Sequence, residues 1–196
     1  VKYNASTLLT YNLAYGGATI DSALVAPYLP TVSSVAQQIE NEWFPTYAAQ
    51  SPPAVTWSSD DTLFAIFDGI NDVGNSWWKN TTVLNAAIYS VYRGLVDELY
   101  DAGARNFAFL NVPPVDRSPL ALANTALDQS MEKVDIKAWN EALIKMAQSL
   151  KADKPDVNMF TVDTNKYFTE VLNNPASFPQ TALYKNTTAY CNAYAK

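Results

Sequence analysis

Short apolar runs alternate along this chain with longer stretches in which apolar residues recur every three or four positions. The first run, Leu8 to Ala14, is rich in β-formers and stops at Tyr15-Gly16-Gly17, so it predicts a strand followed by a loop. From Thr31 to Tyr47, Val32, Val35, Ala36, Ile39, Trp43 and Phe44 follow the spacing that stacks side chains on one helical face. Thr62 to Phe67 is a continuous apolar run ending at Asp68-Gly69, which suits a strand covered on both faces.

A second helix follows. Asn80 is its expected cap, Val83 through Leu99 supply a wide apolar stripe, and Gly103 is the expected C′ stop. Asn106 to Val112 reads as another strand, broken by Pro113-Pro114. Asp128 to Leu150 reads as a helix, Val157 to Val162 as a fourth strand and Asn165 to Leu172 as a short last helix, before a polar tail without a clear element. Strands separated by helices of ten or more residues call for crossover connections, and therefore for a parallel sheet of the α/β class. Without an internal repeat, linker or low-complexity block, residues 1–196 read as a single domain.

Composition narrows the picture. The 196 residues are 48% hydrophobic and 16% charged, a balance of packed globular chains. The net charge of −6 comes with no run of Lys or Arg, so the counterion release that drives nucleic-acid binding has no source and no nucleic-acid partner is expected. No apolar stretch approaches the ~20 residues that cross a bilayer, so no membrane partner is expected either. The chain starts at Val1 without a basic segment leading into an apolar one, so a signal peptide is absent or already removed. There is no histidine, so these residues alone cannot form a Ser-His-Asp triad, a Cys-His pair or an imidazole-ligated zinc site. The single cysteine, Cys191, excludes an internal disulfide and reads on its own as an inert thiol.

Ligands of open parallel sheets bind beyond the carboxyl ends of the strands. Two segments there carry candidate chemistry. Asn12 to Thr19 offers an unshielded backbone N–H at Gly17, and the loop Gly69-Ile-Asn-Asp72 offers the side-chain amide of Asn71. Tight turns and turn capping account for the same residues. Gly69 to Ser76, GINDVGNS, falls one residue short of a P-loop, and it lacks the lysine that balances phosphate charge, so nucleotide binding is not expected. Asp60, Asp61, Asp68 and Asp72 crowd the second strand end, yet Ile70 and Val73 interrupt the alternation of a calcium loop. These carboxylates read as solvated turn residues, and neither a metal nor another cofactor is expected. Tyr15, Trp77 and Trp78 are candidates for a rim on which sugar rings or acyl groups pack, with core or lid packing as the alternative. Glycosylation sequons stand at Asn4, Asn80 and Asn186; they permit secretion without requiring it.

NLAYGGATID at Asn12 to Asp21, GINDVGN at Gly69 to Asn75 and LNVPPVDRSP at Leu110 to Pro119 together resemble the fungal secreted branch of the GDSL, or SGNH, hydrolases. Over essentially the whole chain the sequence is most similar to acetylesterases of carbohydrate esterase family sixteen, which remove acetyl groups from plant-wall oligosaccharides. The resemblance implies a flavodoxin-like three-layer α/β/α sandwich with a mainly parallel sheet, incomplete here at both ends. It also implies four marker residues: a Ser nucleophile, a Gly, an Asn, and a His accompanied by Asp. Gly17 matches the glycine and Asn71 the asparagine, both donors to the oxyanion. The GDS block that carries the Ser and the DxxH block that carries Asp and His have no match, so the chain reads as a fragment whose triad lies outside it. Cys191 then fits a disulfide to a cysteine beyond Lys196.

The resemblance thus implies a secreted carboxylic ester hydrolase acting on acetylated plant-wall carbohydrate or small esters, inactive as these residues alone. The rival is a non-catalytic secreted glycan-binding module that uses Tyr15, Trp77 and Trp78 as stacking platforms. A weaker third reading is an acyl-binding scaffold of the same fold.

Overall fold

In a computed structural model of the chain, residues 9–48 and 57–190 are described. Asn4 and Cys191 lie outside them. Three strands, β1 (Leu63–Ile66), β2 (Asn106–Leu110) and β3 (Asn158–Val162), form a parallel sheet in the order β1-β2-β3. Helix α4 (Thr81–Asp101) connects the first two strands and α5 (Ala126–Asp153) the second two, the crossovers that parallel pairing demands. Helices lie on both sides of the sheet, as an α/β/α architecture requires.

Side chains alternate across the sheet, and the register puts Phe64 beside Phe107 and Ile66 beside Phe109 on one face. The Phe107 and Phe109 rings stack with centroids 6.0 Å apart, and Phe109 meets Tyr92 of α4 edge-on. Trp139 of α5 packs on Tyr89 of α4 at 4.9 Å, which closes a core in which Tyr92, Phe107, Phe109, Trp139, Leu143 and Leu150 are buried. Covering a sheet face this way stabilises the fold by roughly 1.5–3 kcal/mol per large apolar side chain. The other face is less well covered, with Leu63 55% and Phe160 56% exposed.

Of the strand expected from Leu8 to Ala14, Leu8 lies outside the described residues. Its described part, residues 9–14, has no regular element; the Asn12 side chain instead turns back to accept from the Ala14 N–H. An extended segment becomes a strand only when a neighbour accepts its hydrogen bonds, and none among the described residues pairs with it.

The helix expected from Thr31 starts later, at α1 (Val35–Gln37), behind a capping box in which Ser34 and Gln37 satisfy each other's backbone donors. It widens into a π-helical segment, Gln38–Trp43, and tightens again into α2 (Phe44–Tyr47). Pro45 lacks an N–H and its ring clashes with the carbonyl four residues back in a regular helix, so a wider turn just before it relieves the crowding. Trp43 then wedges against Trp57 and Phe64, fastening this helix to the β1 end of the sheet.

Asn80 occupies the N-cap position of α4, but its side chain makes no capping bond. Gly103 does end the helix: with φ at 112° it lets Ala104 N–H reach back to the Leu99 carbonyl and Gly103 N–H to that of Tyr100. The last helix, α6 (Thr164–Asn173), follows β3 with the Asp163 side chain as its cap, and a single 3-10 turn, Pro175–Ser177, lies in the tail.

Candidate active site

Because the strands are parallel, their carboxyl ends share one edge of the sheet. There β1 delivers Asp68 and Gly69. Gly69 adopts φ 111°, which starts a short helix, α3 (Ile70–Gly74), directly off the strand, so the segment read as a loop is helical. A side chain at Gly69 would run into Trp139, whose Cε2 lies 2.5 Å from where a Cβ would stand. The absence of one lets the strand end lie flush on α5.

Asn71 is in the first turn of α3. Its Nδ2 donates to the carbonyl of Ala18 at 2.9 Å, across 53 positions. Ala18 closes a turn by donating its N–H to the Tyr15 carbonyl, with Gly17 at the third position and φ 92°, the left-handed value that a type II turn reserves for glycine. The structure therefore brings the Asn71 side chain to the residue next to Gly17. One amide proton of Asn71 is committed to Ala18, which fixes the carboxamide plane and leaves the second proton for another acceptor.

A second bond joins the same two segments. Asp72 is fully buried, and both its carboxyl oxygens accept from the N–H of Ile20, at 3.1 and 3.2 Å. The expectation that the carboxylates at this strand end are solvated fails for Asp72, because α3 turns it inward under the Thr19-Ile20 backbone. It holds for Asp60 and Asp61, which are exposed. Burial is the main reason that the Asp72 carboxyl titrates well above the usual carboxylate range, and the neighbouring Asp68 charge raises it further. Asp68 keeps some solvent-accessible surface as a residue. Desolvation nonetheless lifts its carboxyl to about 7, against hydrogen bonds from the Gly69 N–H and from Asp72 that favour its charged form. Two carboxyls are thus gathered at this strand end, both held above their usual range mainly by burial.

Within GINDVGNS, Ile70 to Gly74 are helical. Asn75 Nδ2 is spent on the Ala26 carbonyl at 3.2 Å, and Asp72 fills the space beneath. Among the described residues, no group of three or more His, Cys, Asp or Glu side chains converges on a metal position.

Of the aromatic candidates, Tyr15 is in the Gly17 turn and 41% exposed. Trp77 packs on the core and meets Trp78 edge-on at 5.3 Å, leaving Trp78 53% exposed. Asn80 and Asn186 are both exposed, and Asn186 Oδ1 accepts from Thr188 N–H and Oγ1.

The carboxyl end of β2 is pinned by amides. Asn140 of α5 pairs with both the N–H and the carbonyl of Val112, at 2.8 and 2.9 Å, and Asn111 binds Asp163, Thr164 and Asn165 after β3. Sequence reading missed Asp72 as a buried tether and also missed Tyr28, whose ring lies against Gly17. The Ala-Pro-Tyr-Leu-Pro string at 26–30 was the available signal, an aromatic held between two prolines.

The sequence pattern of the GDSL-like lipase/acylhydrolase family matches residues 2–193. An acetylesterase of Thermothelomyces thermophilus is 38% identical over 194 residues, covering 97% of this chain and 64% of the relative. A thermolabile hemolysin of Vibrio parahaemolyticus is 26% identical over 171 residues, 87% of this chain and 37% of its own length. A GDSL esterase/lipase of Arabidopsis thaliana is 29% identical over 108 residues, 53% of this chain and 29% of that protein. The chain thus spans less than two thirds of each.

Proposed function

Because the chain belongs to the GDSL-like lipase/acylhydrolase family, we propose that it is the oxyanion-binding part of an esterase that removes acetyl groups from carbohydrate or small esters. The observation that carries this reading is the bond from Asn71 Nδ2 to the Ala18 carbonyl, which couples the Asn71 amide to the turn bearing the Gly17 N–H. In the proposed reaction a serine oxygen attacks the ester carbonyl carbon while a histidine takes the serine proton. The carbonyl π pair moves onto its oxygen, which accepts from Gly17 N–H and the free Asn71 proton. Collapse of this intermediate expels the alcohol, which receives the proton, and water releases the acyl group by the same steps in reverse order of roles. The sequence contains no histidine, so serine and histidine come, in this proposal, from residues outside these 196.

Donors aimed at a developing charge act on the transition state more than on the bound ester. In the complete natural polypeptide, Asn71→Ala should therefore lower kcat on an aryl acetate by ~10²–10³ with little change in KM. Unaltered kcat would reject the role of Asn71. The proposal extends to an extracellular protein acting on plant-wall carbohydrate, with Asn80 and Asn186 as exposed glycan acceptors. Intact mass before and after enzymatic deglycosylation reads that part separately.

A further inference from the structure

The ring of Tyr28 lies against the Cα of Gly17 so closely that a Cβ there would stand 2.6 Å from Tyr28 Cδ1. Tyr28 is nevertheless 68% exposed, so most of its surface contributes nothing to the core. Large apolar residues this exposed are common singly; this one sits on the backbone unit that carries a proposed oxyanion donor.

Its support is rigid. Pro27 and Pro30 flank the Tyr28-Leu29 pair and fix two of the backbone torsions. On one side, the Ala26 carbonyl accepts from Asn75 Nδ2 at the end of α3, and the Val25 carbonyl from Thr19 Oγ1 at 2.8 Å. On the other, Val32 N–H closes a turn onto Leu29, and Val35 and Ala36 donate to the Thr19 and Ile20 carbonyls. The loop that presents Tyr28 is thus tied at both ends to the same two segments that carry Gly17 and Asn71. Holding an exposed aromatic in place by the backbone removes much of the ordering cost of using it as a contact surface.

We propose that Tyr28 is a specificity-determining residue whose ring forms a stacking platform for the sugar that carries the ester, beside the Gly17 turn. The proposal rests on the esterase reading of Gly17 and Asn71. An acetyl group bound at those donors is too small to need a platform of this size, whereas the C–H face of a pyranose matches an aromatic ring. Trp78 and Tyr15 are exposed as well and offer further aromatic surface to a longer glycan.

The test compares kcat/KM for acetylated xylobiose with that for ethyl acetate, whose alcohol cannot stack, in the complete natural polypeptide. Tyr28→Ala should lower the sugar-to-ethyl ratio about ten-fold, the size of one aromatic stacking contact, through KM of the sugar ester. Tyr28→Phe should restore the ratio, since the face and not the hydroxyl does the stacking. Where Tyr28→Ala fails to fold, Tyr28→Leu keeps apolar bulk without an aromatic face and carries the same expectation. A ratio unchanged in Ala and Leu, or equally lowered in Phe, overturns the proposal. Wild-type protein that hydrolyses neither ester, or kcat indifferent to Asn71→Ala, overturns the underlying esterase reading instead.

Discussion

The backbone N–H of Ile20 is held between both oxygens of the Asp72 carboxyl, 52 positions away in sequence. With the Asn71 bond to Ala18, it forms a double clasp between α3 and the Gly17 turn. One half fixes the Asn71 carboxamide, and the other fixes the backbone beside the Gly17 turn.

Removing the buried half should loosen the turn. Asp72→Ala leaves the Ile20 N–H buried without a partner, a loss of about 1–3 kcal/mol of stability. Asp72→Asn retains an acceptor for that N–H and resembles the protonated carboxyl in shape, so it should cost less than Asp72→Ala. Urea denaturation of the two variants against the parent measures both, and equal costs would show that the Ile20 contact is not what Asp72 contributes.

The two raised carboxyls give the fold a pH dependence of unusual sign. Asp68 titrates at about 7 in the folded chain against 3.8 in the unfolded one, so the folded state holds a proton that the unfolded state has already lost. Its contribution is complete below pH ~4 and is lost as pH rises toward about 7. Asp72, whose carboxyl is also raised by burial, adds a loss of the same sign. The urea midpoint should fall as pH rises from 4 to 7.5, and Asp68→Asn should flatten that slope. A slope unaffected by Asp68→Asn would place its cause elsewhere.

Glycines at two positions should respond to alanine with opposite signs. Gly69→Ala forces a side chain into a left-handed residue and onto the buried Trp139 ring. Strain and overpacking together should cost about 2–5 kcal/mol. Gly94, within α4, has nothing within 4 Å of a Cβ, and Gly94→Ala should stabilise by about 0.5–1 kcal/mol. Thermal melts of the pair distinguish a requirement for glycine from a mere occurrence of it.

What the sequence discloses follows the range of the forces involved. The stripe up to Leu99 and the stop at Gly103 are local, because helix bonds and caps join near neighbours, and both appear in α4, although Val83 at the start of the stripe is exposed. The parallel sheet is legible because long helices between apolar runs leave few other connections. The stretch from Leu9 to Ala14 has β-rich composition but becomes irregular, since pairing depends on a partner that composition does not reveal. Asp72 looked solvated because its neighbour in sequence is a turn, while its neighbour in space is Ile20. Tyr28 carried no periodic signal at all; its importance lies in the glycine it faces.

Contact between Tyr28 and Gly17 also constrains how the sequence can drift. A lineage that acquires any β-carbon at 17 must already have shed the ring at 28, and the reverse order passes through an ancestor with a clash. Losing the ring alone would still not open position 17, because its left-handed torsion also disfavours a β-carbon, so the sequence is freer to drift at 28 than at 17.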